Sequence, residues 1–128
     1  MRTLTTLALA LITTACVAQT PPAAEGPGIW RLVSLNGEMP GALVTLAFPE
    51  PGRLAGQGPC NRYFGVVEGA PPAFAAMGIG ATRMACDRLD EEGRYFDALS
   101  RVTTVEMGPA RMTLTGPGVR LDFATPMN

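Results

Sequence analysis

Apolar and polar residues alternate over short stretches along most of this chain. The clearest case is Val119, Leu121 and Phe123 interleaved with Arg120 and Asp122, the pattern of a strand with one buried face. The same period predicts a strand over 29–35, with Trp30, Leu32 and Ser34 on one side. It predicts another over 43–48, with Val44, Leu46 and Phe48 inward. Further short strands are expected over 53–56, 63–67, 74–80, 103–107 and 111–115. Turn-forming residues separate them: Asn36-Gly37, Pro49 to Gly52, Glu68 to Pro72 and Gly116 to Gly118. One stretch changes period. Over 87–101, Leu89, Phe96 and Leu99 recur at helical spacing, and Tyr95 and Val102 widen the stripe. Asp87 is expected to cap this helix, with Asp90, Glu91 and Glu92 favourable in its first turns. Gly93 should weaken it by about 1 kcal/mol relative to Ala. The resulting fold class is mainly β (α+β): a small, strongly curved antiparallel sheet or barrel of about eight strands with one helix.

The first residues follow a different logic. Met1-Arg2-Thr3 gives a positive start, and residues 4–12 are mostly apolar, too short for the ~20 residues that span a bilayer. Thr13-Thr14-Ala15-Cys16 resembles the lipobox of bacterial lipoproteins, although Thr13 stands where Leu is usual. The resemblance implies cleavage before Cys16 and its acylation. Ordinary cleavage after Ala18 is the rival. Residues 19–28 hold three prolines and two glycines and read as a linker. The expected organisation is a signal peptide over 1–15, a lipid-anchored linker over 16–28 and one folded domain over 29–125.

Composition excludes several functions. Ten basic residues, all Arg, face 11 acidic ones, so no basic excess draws nucleic acid. The absence of His removes the usual general base and the commonest metal ligand. No catalytic residue, cofactor or metal site is expected. The cluster Asp87, Asp90, Glu91 and Glu92 lacks the ligand spacing and central Gly of a calcium loop.

Of three cysteines, Cys16 belongs to the export segment, leaving Cys60 and Cys86. In an oxidising compartment a disulfide is the simplest pairing, and a loop of this size contributes roughly 3–4 kcal/mol. Free buried thiols and a reactive or metal-bound cysteine are the alternatives, though neither a His partner nor a zinc spacing is present.

Cys60-Asn61-Arg62-Tyr63 and Thr82-Arg83-Met84-Ala85-Cys86, with Trp30-x-Leu32 before them and Leu121-x-Phe123 after, resemble the META domain, also called the HslJ family. The resemblance covers 29–123. It implies a small β-rich fold, an envelope location and a role in heat and antibiotic stress tolerance, novobiocin included, without a settled biochemical activity. The expected protein is a non-enzymatic lipoprotein at the periplasmic face of the outer membrane, a monomer that binds an envelope protein or lipid. A lipid or apolar-ligand carrier using the interior of the sheet, and a protease inhibitor, are the alternatives.

Asn61, Arg62, Thr82 and Arg83 are the candidate binding patch, two guanidinium groups for a carboxylate or phosphate. The plainer reading is that Asn61 turns the backbone and Arg62 bonds loop carbonyls. Trp30 reads as core. Met77, Met84, Met107 and Met112 either pack in the ordinary way or line an adaptable apolar cavity.

Overall fold

The computed structural model describes residues 28–125. The expected signal peptide, Cys16 and the linker up to residue 27 lie outside the described residues. The domain contains eight strands and one helix. In order they are β1 (Trp30–Leu35), β2 (Thr45–Leu46), β3 (Arg53–Gln57), β4 (Arg62–Glu68), β5 (Ala75–Ala81), α1 (Leu89–Ser100), β6 (Thr104–Met107), β7 (Arg111–Gly116) and β8 (Val119–Ala124).

Two antiparallel sheets share the strands. One has five, in the order β2-β1-β8-β7-β6; the other is β3-β4-β5. Single bridges join them on both flanks, Ala47 to Ala55 on one side and Ala73 to Thr104 on the other. The sheets thus wrap around a common interior without closing into a continuous barrel.

Alternation explains what fills that interior. Leu32, Phe123 and Met112 lie opposite one another across β1, β8 and β7, and Leu35, Leu121 and Leu114 form the next inward row. Leu46, Leu54, Tyr63, Tyr95 and Leu99 complete the core, each at most 1% exposed. The inside of the curved sheets is filled largely by these side chains. Trp30 is buried as expected, and its Nε1 finds no acceptor among the described residues.

Ser34 departs from the expected pattern. A bulge between Leu32 and Ser34 shifts the register, so Ser34 lies opposite outward-facing Asp122 and its hydroxyl donates to Asp122 Oδ2 at 3.3 Å. The extra residue brings Leu35, not Ser34, onto the inward row. The stretch over 43–48 is strand for Thr45–Leu46 alone.

The helix begins one residue later than Asp87 could cap. Arg88 is the N-cap residue, and no side chain caps the first turn. Leu89 is also displaced from its expected place, being 47% exposed. The buried stripe is Glu92, Tyr95, Ala98 and Leu99. Tyr63, Tyr95 and Phe96 form an edge-packed aromatic cluster where the helix crosses the sheet, with ring centroids 5.3–5.8 Å apart. The four methionines share no cavity: Met112 is buried, whereas Met77, Met84 and Met107 are about half exposed or more.

Candidate functional site

The β3–β4 turn and the segment after β5 meet at the start of the helix. Cys60 and Cys86 form a disulfide there, with Cα atoms 5.9 Å apart. Asn61, 3% exposed, sits at the centre of the junction. Its Oδ1 accepts from the Met84 amide at 2.6 Å and from the Thr82 hydroxyl at 3.0 Å. Its Nδ2 donates to the Met84 carbonyl at 3.2 Å and to Glu92 Oε1 at 2.7 Å. A carboxamide offers two donors and two acceptor positions, and all four are used. Asn61 therefore clips the Met84 peptide as a neighbouring strand would, without extending either strand.

Glu92 completes the knot from the helix. Its Oε2 accepts from the backbone amides of Cys60 and Asn61, at 2.8 and 2.7 Å, while Oε1 takes the Asn61 side chain. At 5% exposure the carboxylate has three N–H donors and no cation partner among the described residues. Such convergence makes burial of a carboxyl group tolerable. Sequence reasoning placed Glu92 among helix-favouring acids and missed this role. The signal was present: Glu92 precedes Tyr95, Phe96 and Leu99 by three, four and seven residues, so it falls on the apolar stripe.

Thr82, though exposed, also bonds across the junction. It accepts from the Arg62 amide at 3.2 Å through its hydroxyl, and its own amide donates to the Arg62 carbonyl at 3.0 Å. The structure thus separates the four residues of the candidate patch. Asn61 and Thr82 are engaged within the junction. Arg62 and Arg83 are exposed, and neither side chain makes a hydrogen bond or ion pair among the described residues. Phe64, on the same face of β4 as Arg62, is 59% exposed, and Met84 is 67% exposed.

Beneath the junction, the Tyr63 hydroxyl donates to the Thr45 carbonyl at 2.6 Å and lies 2.6 Å from the Tyr95 hydroxyl. Burial pushes both phenols up from their ordinary value; for Tyr95 the neighbouring Tyr63 adds to the rise, whereas for Tyr63 the Tyr95 hydrogen bond opposes it. Gly56 passes close above. A Cβ there would collide with the Thr45 carbonyl and crowd the Tyr63 hydroxyl, so β3 reaches β2 only with a glycine at this position. On the outside of the larger sheet, Arg120 holds the Asp122 carboxyl below the usual carboxylate range, helped by Thr113 and Ser34 against partial burial. No group of three or more His, Cys, Asp or Glu is placed to hold a metal among the described residues.

Comparison with known proteins places this chain in a family. Similar solved structures include the solution structure of a protein from Burkholderia xenovorans, 28% identical over 80% of this chain and 84% of that one, with a TM-score of 0.63. The crystal structure of a DUF4847 family protein from Bacteroides vulgatus ATCC 8482 is 11% identical over 80% of this chain and 95% of that one, with a TM-score of 0.61, and shares the fold. No curated protein matches the chain. The META domain profile matches residues 24–128, the whole described domain with both cysteine segments inside it, and the chain belongs to the META domain family.

Proposed function

We propose that this META domain is an exported lipoprotein, held at the periplasmic face of the outer membrane by an acylated Cys16. In this reading it contributes to heat and antibiotic stress tolerance by binding another envelope component, and it catalyses no reaction. One observation supports it above others. The polar groups that could resemble reactive machinery, Asn61, Thr82 and Glu92, are all engaged with the domain's own backbone or with one another. Around them the knot displays Arg62, Phe64, Arg83 and Met84 outward on a fixed frame. Guanidinium groups beside exposed apolar side chains suit an anionic partner with an apolar portion.

The test is in-cell cross-linking and capture under heat or novobiocin stress, comparing the wild type with an Arg62→Ala/Arg83→Ala variant. Capture of a specific envelope component should fall by roughly tenfold or more, with an unchanged melting temperature. Undiminished capture would remove the patch from the binding role. For the anchor, Cys16→Ala should move the protein out of the membrane fraction; unchanged retention would count against acylation.

A second reading has one observation behind it. A cleft of about 620 Å³ opens at the far end of β3 and β4, walled by Phe48, Val67, Phe74 and Val105, within the range of small-ligand sites. It would let the domain carry an apolar molecule at its rim. Native mass spectrometry with fatty acids and novobiocin decides, since an empty protein throughout would dismiss it.

A further inference from the structure

The chain enters β1 and leaves β8 at the end of the domain opposite the knot. Pairing around this end is continuous: Trp30 lies opposite Leu46, Arg31 opposite Ala124, Ala124 opposite Arg111, and Met112 opposite Met107. Three features gather there. The cleft between the sheets is apolar apart from Glu50, which pairs with Arg53 at 3.6 Å. Beside β1 a second hollow of about 780 Å³ opens at Ala124 and runs past Leu43 to Gly41, whose amide donates to Glu91 near the knot. Around both, Ile29, Leu43 and Met107 are each more than half exposed. Finally, Arg31 and Arg111 flank Ala124 on the outer face. At ~4.8 Å between strands their backbones are roughly 10 Å apart. Neither side chain makes a hydrogen bond or ion pair among the described residues. The other acids at this end are Glu68, on the smaller sheet, and Glu106, which precedes Met107 on β6 and faces Arg120.

We propose that this end of the domain docks on an anionic bilayer. Ile29, Leu43, Met107 and the cleft rim enter the interface, and Arg31 and Arg111 meet the headgroup phosphates. An apolar rim beside basic residues is the chemistry by which peripheral proteins settle on charged lipid. Chain connectivity supplies the direction. Cys16 stands thirteen residues before Ile29, a tether of at most about 45 Å, and it enters the fold at this end. The docking rests on the acylated Cys16 proposed above. Docked this way, the domain holds Arg62 and Arg83 away from the membrane, facing the compartment where a partner arrives.

The full acylated chain, reconstituted in vesicles of phosphatidylethanolamine and phosphatidylglycerol, tests this. A lipid with a photoreactive acyl chain reports contact, and mass spectrometry maps the labelled peptides; flotation reports anchoring separately. Labelling should concentrate on peptides holding Ile29, Leu43 and Met107 and spare those holding Arg62 and Arg83. In an Arg31→Glu/Arg111→Glu variant the labelling should fall by roughly thirtyfold, at about tenfold or less per arginine, while flotation persists and the melting temperature holds. A phosphatidylcholine-only vesicle should give the same loss. Floating protein with no labelling at this end, or with labelling centred on Arg62 and Arg83, overturns the docking alone. A chain that does not float overturns the anchor and the docking that rests on it. A single lipid retained by the protein after removal from vesicles assigns the cleft to a carried ligand and overturns the docking.

Discussion

Glu92 is held by three donors at two oxygens, and this fixes what can replace it. Glutamine has the same shape but only one accepting oxygen. Whichever way its amide is turned, an NH₂ group must face an N–H donor. Glu92→Gln should therefore destabilise the domain by about 1–3 kcal/mol despite preserving volume, as read from the urea midpoint at constant slope. A midpoint unchanged from wild type would mean the carboxylate contacts carry no net stability. The junction was only partly legible in the sequence. Two cysteines left over after the expected export segment pointed to their pairing, because counting needs no geometry. Asn61 looked like a turn residue, since nothing in its neighbours reveals that its side chain bonds a peptide twenty-three positions away. Glu92 was readable in principle, as a charge on the apolar stripe. The pull of neighbouring Asp90 and Glu91 toward a helix-start explanation concealed it.

At the scale of elements, strands were legible wherever one face is solvated and the other buried, because alternation then records both. That holds for β7 and β8, found within a residue of expectation. It fails at β1, where the alternating pattern runs smoothly through Ser34 while the bulge steps the backbone past it. Nothing local encodes that step; it arises from pairing with β8. The helix offers a cleaner test. A Cβ added at Gly93 would meet nothing within 4 Å, so alanine there gains helix propensity with no steric cost. Gly93→Ala should stabilise the domain by about 1 kcal/mol and raise the melting temperature by roughly 4–8 °C. No increase in a calorimetric scan would show that this helix draws its stability wholly from tertiary contacts.

For the whole molecule, the two buried tyrosines are the chain's only ones, so the spectroscopic signal and the structural one coincide. Both phenols ionise less readily folded than unfolded, where the ordinary value is 10.0. The unfolded chain therefore loses protons first as pH rises past 10. Stability is fully present below that value and falls above it, by up to about 1.4 kcal/mol per pH unit for each tyrosine. Tyrosinate absorbance should appear together with loss of the β-sheet circular dichroism signal. Absorbance that rises well before the fold is lost would show that water reaches the pair in the native state. The division into two sheets joined by single bridges was not legible. Ala47, Ala55, Ala73 and Thr104 carry no mark that distinguishes a lone bridge from a ladder.

The clip formed by Asn61 bears on how the cysteines find each other. Its carboxamide binds the Met84 peptide two residues before Cys86, and Asn61 itself follows Cys60 directly. Once those hydrogen bonds form, the two sulfurs are neighbours whether or not they are yet joined. The disulfide and the clip therefore tie the same two segments, one through sulfur and the other through the Asn61 carboxamide.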